Sequence, residues 1–440
     1  MTYFCVCLLA ISCMSLWRLT ENHPRTTVFQ PPIPRHDARK PKQSNSSYTI
    51  SAHDMGISEE EWERLQKALE WPSPDQEITE LSESTSPVHS KFSIVGLNQN
   101  YSVGEKILVT ITARDQKNSL KRYGGDFFKV KLFNSKLKAS VYGEVVDHRN
   151  GTYSASLLLP WEGQAQVSVR LEHSSEVVQI LKKYRESSFT RSHYNGHFEG
   201  PGPKKTRISE DVACNLKWGA DGSWIKGNCC CEYKDLKTGT VWHCERPKKL
   251  SCDKLVYHSR GGIKRMDLYT PPTGGPLMAV ELANNIIVHW RPHGVPLRFT
   301  KMPITDLHYI SNDIDGIAGG SHAVIVFTLF AHLVFHPLTF YVHEVAKIRQ
   351  SVVSLLSRAP ETLVIIKSGN TAGQKDIFQS DWYAMQLNTV MQEMFRDIDG
   401  VIYFDVWQMT SCHYLPEDIH PAAVIVANEV DMFLSYVCPA

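Results

Sequence analysis

Val401-Ile402-Tyr403-Phe404-Asp405, continued by the polar loop that reaches Glu417-Asp418-Ile419-His420-Pro421, decides how the chain is read. A short apolar run closed by a carboxylate and followed by a loop predicts a buried strand with Asp405 at its carboxyl end. In open α/β sheets ligands bind outside the carboxyl ends of the strands, so a His delivered by the next loop stands where a catalytic base would. His420 is that candidate. The competing assignment for a single loop His is a solvated or structurally bonded imidazole.

The same grammar extends upstream. Residues 286–290, 323–329 and 363–367 have the composition of buried strands, and residues 338–357 and 380–395 carry apolar side chains at helical spacing. Strand, helix, strand in that order predicts a parallel sheet with right-handed crossovers over residues 263–440. Tyr383, Leu387, Val390, Met391 and Met394 read as a helix core stripe, and the sequence calls for no cofactor and no metal.

Between residues 92 and 171 the pattern changes to short alternating runs separated by the turn signals Tyr123-Gly124-Gly125-Asp126 and Arg149-Asn150-Gly151-Thr152. That predicts an antiparallel β-sandwich, assigned to residues 91–200. Residues 182–207, polar and ending in Gly200-Pro201-Gly202-Pro203, read as a connector. A cysteine-rich segment, 201–262, follows. Residues 20–90 are rich in Pro, Ser, Thr and charge and predict a stalk with one short helix inside residues 57–71.

Lys and Arg number 47 against 46 Asp and Glu, a formal charge of +1, which gives no electrostatic reason for a nucleic-acid or anionic-membrane partner. Residues 3–17 form an apolar run of signal-peptide length, so residues 1–19 are expected to be a signal peptide, or an uncleaved anchor placing the chain in the Golgi lumen. The expected membrane contact goes no further than that anchor. Secretion agrees with glycosylation acceptors at Asn45, Asn100 and Asn150. Outside the apolar run the cysteines are Cys214, Cys229, Cys230, Cys231, Cys244, Cys252, Cys412 and Cys438. This even set reads as a disulfide framework, because zinc knuckles need paired Cys-x-x-Cys spacing that the chain lacks.

These features resemble the neurexophilin and PC-esterase domain family. The resemblance is carried by residues 401–438 with the His-Pro pair, by Leu363-Val364-Ile365-Ile366-Lys367 and by Ser380-Asp381-Trp382-Tyr383. It continues in Tyr123-Gly124-Gly125-Asp126, Asn150-Gly151-Thr152-Tyr153, Trp161-Glu162-Gly163, His173-Ser174-Ser175-Glu176, Trp242-His243-Cys244 and Pro247-Lys248-Lys249-Leu250-Ser251-Cys252. It implies a multidomain α+β protein with three parts. These are an immunoglobulin- or filamin-like sandwich that binds a secreted or cell-surface protein, a structural cysteine-rich segment, and a C-terminal SGNH/PC-esterase-like α/β domain. In the family this last domain is a Gly-Asp-Ser esterase whose base corresponds to His420. Asp418 precedes it by two positions and Glu417 by three, and Asp405 is a third carboxylate that could orient the imidazole. The resemblance also points to His332, in Phe330-Ala331-His332-Leu333, as a residue that lines the site or assists the oxyanion.

The nucleophile is missing. Gly-Asp-Ser occurs nowhere, Gly125-Asp126-Phe127 belongs to the sandwich, and Gly219-Ala220-Asp221-Gly222-Ser223 has no strand before it. Where the family carries a segment with the Gly-Asp-Ser strand after Ser259-Arg260-Gly261-Gly262, this chain passes from Lys264-Arg265 straight to Met266-Asp267. The C-terminal sheet is therefore expected to be incomplete, with unpaired interior edges. Loss of the nucleophile alone removes roughly a millionfold of rate in a serine hydrolase. Ser321, in Gly319-Gly320-Ser321-His322, is the one replacement to weigh, although it precedes a strand. The sequence thus predicts a catalytically impaired esterase-fold glycoprotein that binds protein or glycan. The alternative is a carbohydrate O-acyl esterase or acyltransferase using a Ser-His-Asp mechanism.

Overall fold

The computed structural model describes residues 6–8, 50–74, 80–98, 100–186, 192–216, 229–236, 239–263, 277–281, 285–291, 301–373 and 380–438. The strands Lys106–Thr112, Phe127–Asn134 and Thr152–Leu158 alternate buried and open residues, as strands with one face in a core must. With Lys91–Ile94, Ala139–Asp147 and Gln166–His173 they make a six-stranded antiparallel sheet. Residues 139–143 pair with Phe127–Asn134, while Glu144–Asp147 pair with Thr152–Leu158. This change of partner folds the sheet over a core of Val109, Ile111, Val130, Leu132, Tyr153 and Leu157. Gly143 sits at the change, where a Cβ would stand 2.9 Å from Leu157, so only glycine lets the layers approach this closely.

Most of the described residues in the stretch expected to be a connector belong to a helix or a strand. Residues 182–186 end the helix Ser175–Glu186, and Ser192–Pro201 is a strand of a second antiparallel sheet. That sheet runs Cys229–Lys234, Val241–Glu245, Arg207–Leu216, Ser192–Pro201, Leu255–Ile263, Met302–Pro303, so the described residues of the cysteine-rich segment contribute four of its strands. Cys214 and Cys244 face each other across adjacent strands and are joined by a disulfide; a second links Cys231 to Cys252, and Cys230 is also disulfide-bonded. Cys412 and Cys438 correct the expectation, because both are free thiols. Each follows the last turn of a helix, Trp407–Ser411 and Ala423–Val437 respectively, and its backbone N–H closes that turn. Cys214, Cys244 and His258 bring ligand-type atoms within 4.8 Å of one another, yet the two sulfurs are bonded to each other and offer no thiolate.

The third sheet has the order Leu277–Glu281, Ile286–Trp290, Val6–Leu8, Ala323–Phe327, Leu363–Lys367, Val401–Phe404. All neighbours are parallel except the first pair. The expected gap is closed: Val6–Leu8 pairs on one side with Ile287 and its neighbours and on the other with Ala323–Ile325. The backbone groups along the half-buried Ile286–Trp290 and the buried Ala323–Phe327 need hydrogen-bond partners, and Val6–Leu8 supplies them. A segment removed in transit could not do this, so signal peptide and sheet strand are exclusive uses of these residues in a mature protein. Alternate residues of Ala323–Phe327 point to opposite faces. Ile325 and Phe327 join the core beneath the helices Leu338–Arg358 and Asp381–Phe395, while Val324 and Val326 meet Phe433 of Ala423–Val437.

Residues 50–71 are not a free stalk. Ser51 with Asp54 and Ser58 with Glu61 form capping boxes that start the helices Ala52–Met55 and Glu59–Ala68. Met55, Leu65 and Leu69 are buried in the core shared with the third sheet's helices, and Glu61 pairs with Arg349 at 2.8 Å. Asn45, the rest of the apolar run, residues 219–223 and the 264–267 junction lie outside the described residues. Among the described residues no helix is long and apolar enough to cross a membrane.

Candidate functional site

The strands Leu363–Lys367 and Val401–Phe404 end level with each other, Lys367 opposite Phe404, so the residues after them meet at one rim of the sheet. Ser368 Oγ donates to Asp405 Oδ1 at 2.9 Å and accepts from Val406 N at 2.8 Å, while Asp405 Oδ1 also caps Trp407 N at 2.9 Å. Asp405 is thereby spent on holding the start of the helix Trp407–Ser411. Lys367 Nζ turns inward to Asn370 Oδ1 at 2.8 Å and to Glu429 at 3.5 Å. Burial pushes the Lys367 pKa down and the Glu429 pKa up, so both members of this enclosed pair are shifted toward their neutral forms. Asn370 Nδ2 then donates to Ile419 O at 3.1 Å, fastening the loop before His420 to the rim.

In that loop the carboxylates have separate duties. Asp418 Oδ1 accepts the backbone N–H of His420 at 3.1 Å, forming a local turn, and His420 itself is exposed. Glu417 points across to the sandwich, where it meets Lys129 Nζ at 2.7 Å and Arg170. Lys129 also holds Asp381 at 2.7 Å and lies 3.6 Å from Glu172. Burial raises the Glu417 pKa, but Lys129, its hydrogen bond and Arg170 outweigh it and hold the carboxyl below its usual range. Burial works against the charge on Lys129 too, yet Asp381, Glu172 and Glu417 together raise its pKa. Beside this cluster His173 Nε2 and Ser380 Oγ share a 2.6 Å hydrogen bond, and burial lowers the His173 pKa to about 4.

His332 lies in the turns after Ala323–Phe327, half-buried. Ser321 is exposed at the amino end of the same strand, whereas His420 follows the carboxyl end of a parallel one. Five residues of strand separate those two rims, roughly 16 Å, so the geometry does not bring Ser321 to His420. Asn100 and Asn150 are exposed, and Asn150 Oδ1 accepts Thr152 N at 3.0 Å. The motif residues of the sandwich converge in one cluster. Tyr153 OH donates to Asp126 Oδ2 at 2.9 Å, Asp126 Oδ1 accepts Ser175 N at 2.8 Å, and Glu176 receives both Lys121 and Tyr123 at 2.7 Å. They clamp the helix Ser175–Glu186 to the sandwich rather than lining a reaction centre.

Sequence reasoning missed Lys129, Arg170, Lys367, Asn370 and Glu429. One signal was available. Lys129 and Lys131 alternate onto one face of their strand, and Arg170 is the cross-strand neighbour of Lys129. Like charges directly opposite repel unless an acidic surface covers them, and residues 381 and 417 provide that surface. The arrangement ties the loop before His420 to the strand Phe127–Asn134 and to the start of the helix Asp381–Phe395. As a hydrolytic site it has a His at the expected rim but no Gly-Asp-Ser nucleophile anywhere in the sequence. Two family models match the chain: one described as neurexophilin over residues 66–267, and one described as NXPE family member 4-like, C-terminal domain, over residues 255–438.

Proposed function

Because this chain belongs to the neurexophilin and NXPE family, of PC-esterase-like type, we propose that it is an extracellular or lumenal protein that acts by binding another secreted or cell-surface protein. In this reading the immunoglobulin- or filamin-like sandwich is the binding part, and the SGNH-like C-terminal sheet is a scaffold without turnover. The observation that carries it is the absence of Gly-Asp-Ser from the sequence. The site geometry supports it. Glu417 is engaged by Lys129 and Arg170, and Asp405 by Ser368 and the backbone of Trp407, so two of the three candidate carboxylates serve the architecture. Without a nucleophile the remaining His supplies little rate.

The test is hydrolysis of an acetyl ester, and of an O-acetylated glycan, by the purified full-length protein. Turnover at the level of the buffer blank is expected. Turnover that disappears in His420→Ala while the protein stays folded would overturn this reading in favour of an O-acyl esterase or acyltransferase.

A further inference from the structure

The loops at one end of the sandwich enclose a cleft of about 760 Å³ that has no part in the arrangement described above. Its floor is the end of the sandwich core at Ile107, Leu132 and Val167. Its walls come from the stretches around residues 100–103, 133–136 and 161–166. Phe133 and Gln166, opposite each other in the paired strands, stand at this end, while Phe127 and His173 mark the other, next to Ser380. Six strand residues separate the two ends, roughly 20 Å. The His420 loop meets this strand at Lys129 through Glu417 and at Lys131 through the His413 carbonyl, four and two residues before Phe133, and none of those four residues lines the cleft.

The chemistry of the walls is specific. Tyr101, Phe133 and Trp161 bring three aromatic rings. Gln164, Gln166 and Glu162 bring amide and carboxyl groups that are exposed and take no side-chain hydrogen bond from another described residue. Among the described lining residues Lys136 and Glu162 alone are charged, and they cancel. A ligand matched to this lining has flat C–H faces to lie on the rings, several hydroxyls for the amides, and no net charge. Phosphate- or sulfate-bearing ligands find no cationic surplus here. We propose that the cleft binds a neutral oligosaccharide. The proposal goes beyond the function argued above and stands whether or not the C-terminal part is active. Asn100, in the wall, is itself a glycosylation acceptor, so the sugar has two sources: the chain's own Asn100 glycan, or a glycan on another molecule.

The experiment titrates full-length protein and its Asn100→Gln variant with a panel of neutral oligosaccharides and their sulfated counterparts, read by ligand-observed NMR and calorimetry. Neutral members are expected to bind, and Trp161→Ala to weaken binding by about tenfold through loss of one stacking surface. Trp161 also packs partly on the sandwich core, so Gln164→Ala, an exposed side chain, is the second variant, expected to weaken binding with an unchanged melting temperature. Binding by both proteins identifies an external glycan as the ligand, and binding by Asn100→Gln alone identifies the chain's own glycan as the occupant. No neutral binding by either protein, preference for sulfated members, or affinity untouched by both variants would overturn the proposal.

Discussion

Lys129 of the sandwich and Glu417 of the loop that carries His420 lie 2.7 Å apart, their side chains 15% and 4% exposed, although 288 residues separate them in the chain. One ammonium here serves three carboxylates, Glu417, Asp381 and Glu172, at the seam between the sandwich and the third sheet. Its removal leaves buried negative charges facing one another.

Lys129→Ala is therefore expected to cost about 3–5 kcal/mol, the range for breaking a buried ion pair from one side. Arg170 is half exposed, and Arg170→Ala should cost no more than about 1 kcal/mol. Urea unfolding of both variants checks the ordering. Equal costs would mean that the seam is solvated.

Acid should weaken the fold before ordinary carboxylates titrate. Burial lowers His173 and His258 from 6.5 to about 4. Between those values the unfolded chain binds protons that the folded chain refuses, so the stability is fully present above pH 6.5 and is lost as pH falls toward 4. Each histidine contributes on the order of 3 kcal/mol across that window. Asp126, raised by burial to about 6, opposes part of it below pH 6. His258 stacks on Trp242 at 4.1 Å, so His258→Phe keeps the contact and removes the titration. The loss of stability between pH 6.5 and 4 should shrink by more than half in that variant, because Asp126 offsets most of what His173 alone leaves, as measured by denaturant midpoints at a series of pH values.

The free thiols should differ in reactivity. Cys438 is exposed, whereas burial raises the Cys412 pKa, with Lys131 only partly compensating. Brief maleimide treatment of native protein followed by peptide mass spectrometry should label Cys438 and spare Cys412. Equal labelling would show that the helix Trp407–Ser411 opens readily.

Deletion of residues 1–19 removes the strand Val6–Leu8 from between Ile286–Trp290 and Ala323–Phe327. Amides of those two strands should then exchange faster with deuterium, while the sandwich strands keep their protection, because only the third sheet loses paired edges. Unchanged protection in both strands would show that the sheet closes without its N-terminal member.

By itself the sequence determined the local elements and the chemical inventory. The apolar runs that became Leu363–Lys367 and Val401–Phe404, the alternation of Lys106–Thr112 and the helical stripe of Asp381–Phe395 are legible because their periodicity reflects one buried face. The family motifs and the missing Gly-Asp-Ser are likewise plain in the chain. Ser192–Pro201 was not legible, because its polar, glycine-bearing sequence carries no strand pattern of its own. Neighbouring strands make it one, and Gly196 leaves room for the Cys214–Cys244 disulfide against which any side chain would collide. Only the tertiary structure decided that residues 50–71 enter the core, that Cys412 and Cys438 stay free, and that Glu417 faces Lys129 instead of serving His420. These depend on which surfaces meet across hundreds of residues, where burial and charge pairing act between elements and leave no periodic trace in the sequence.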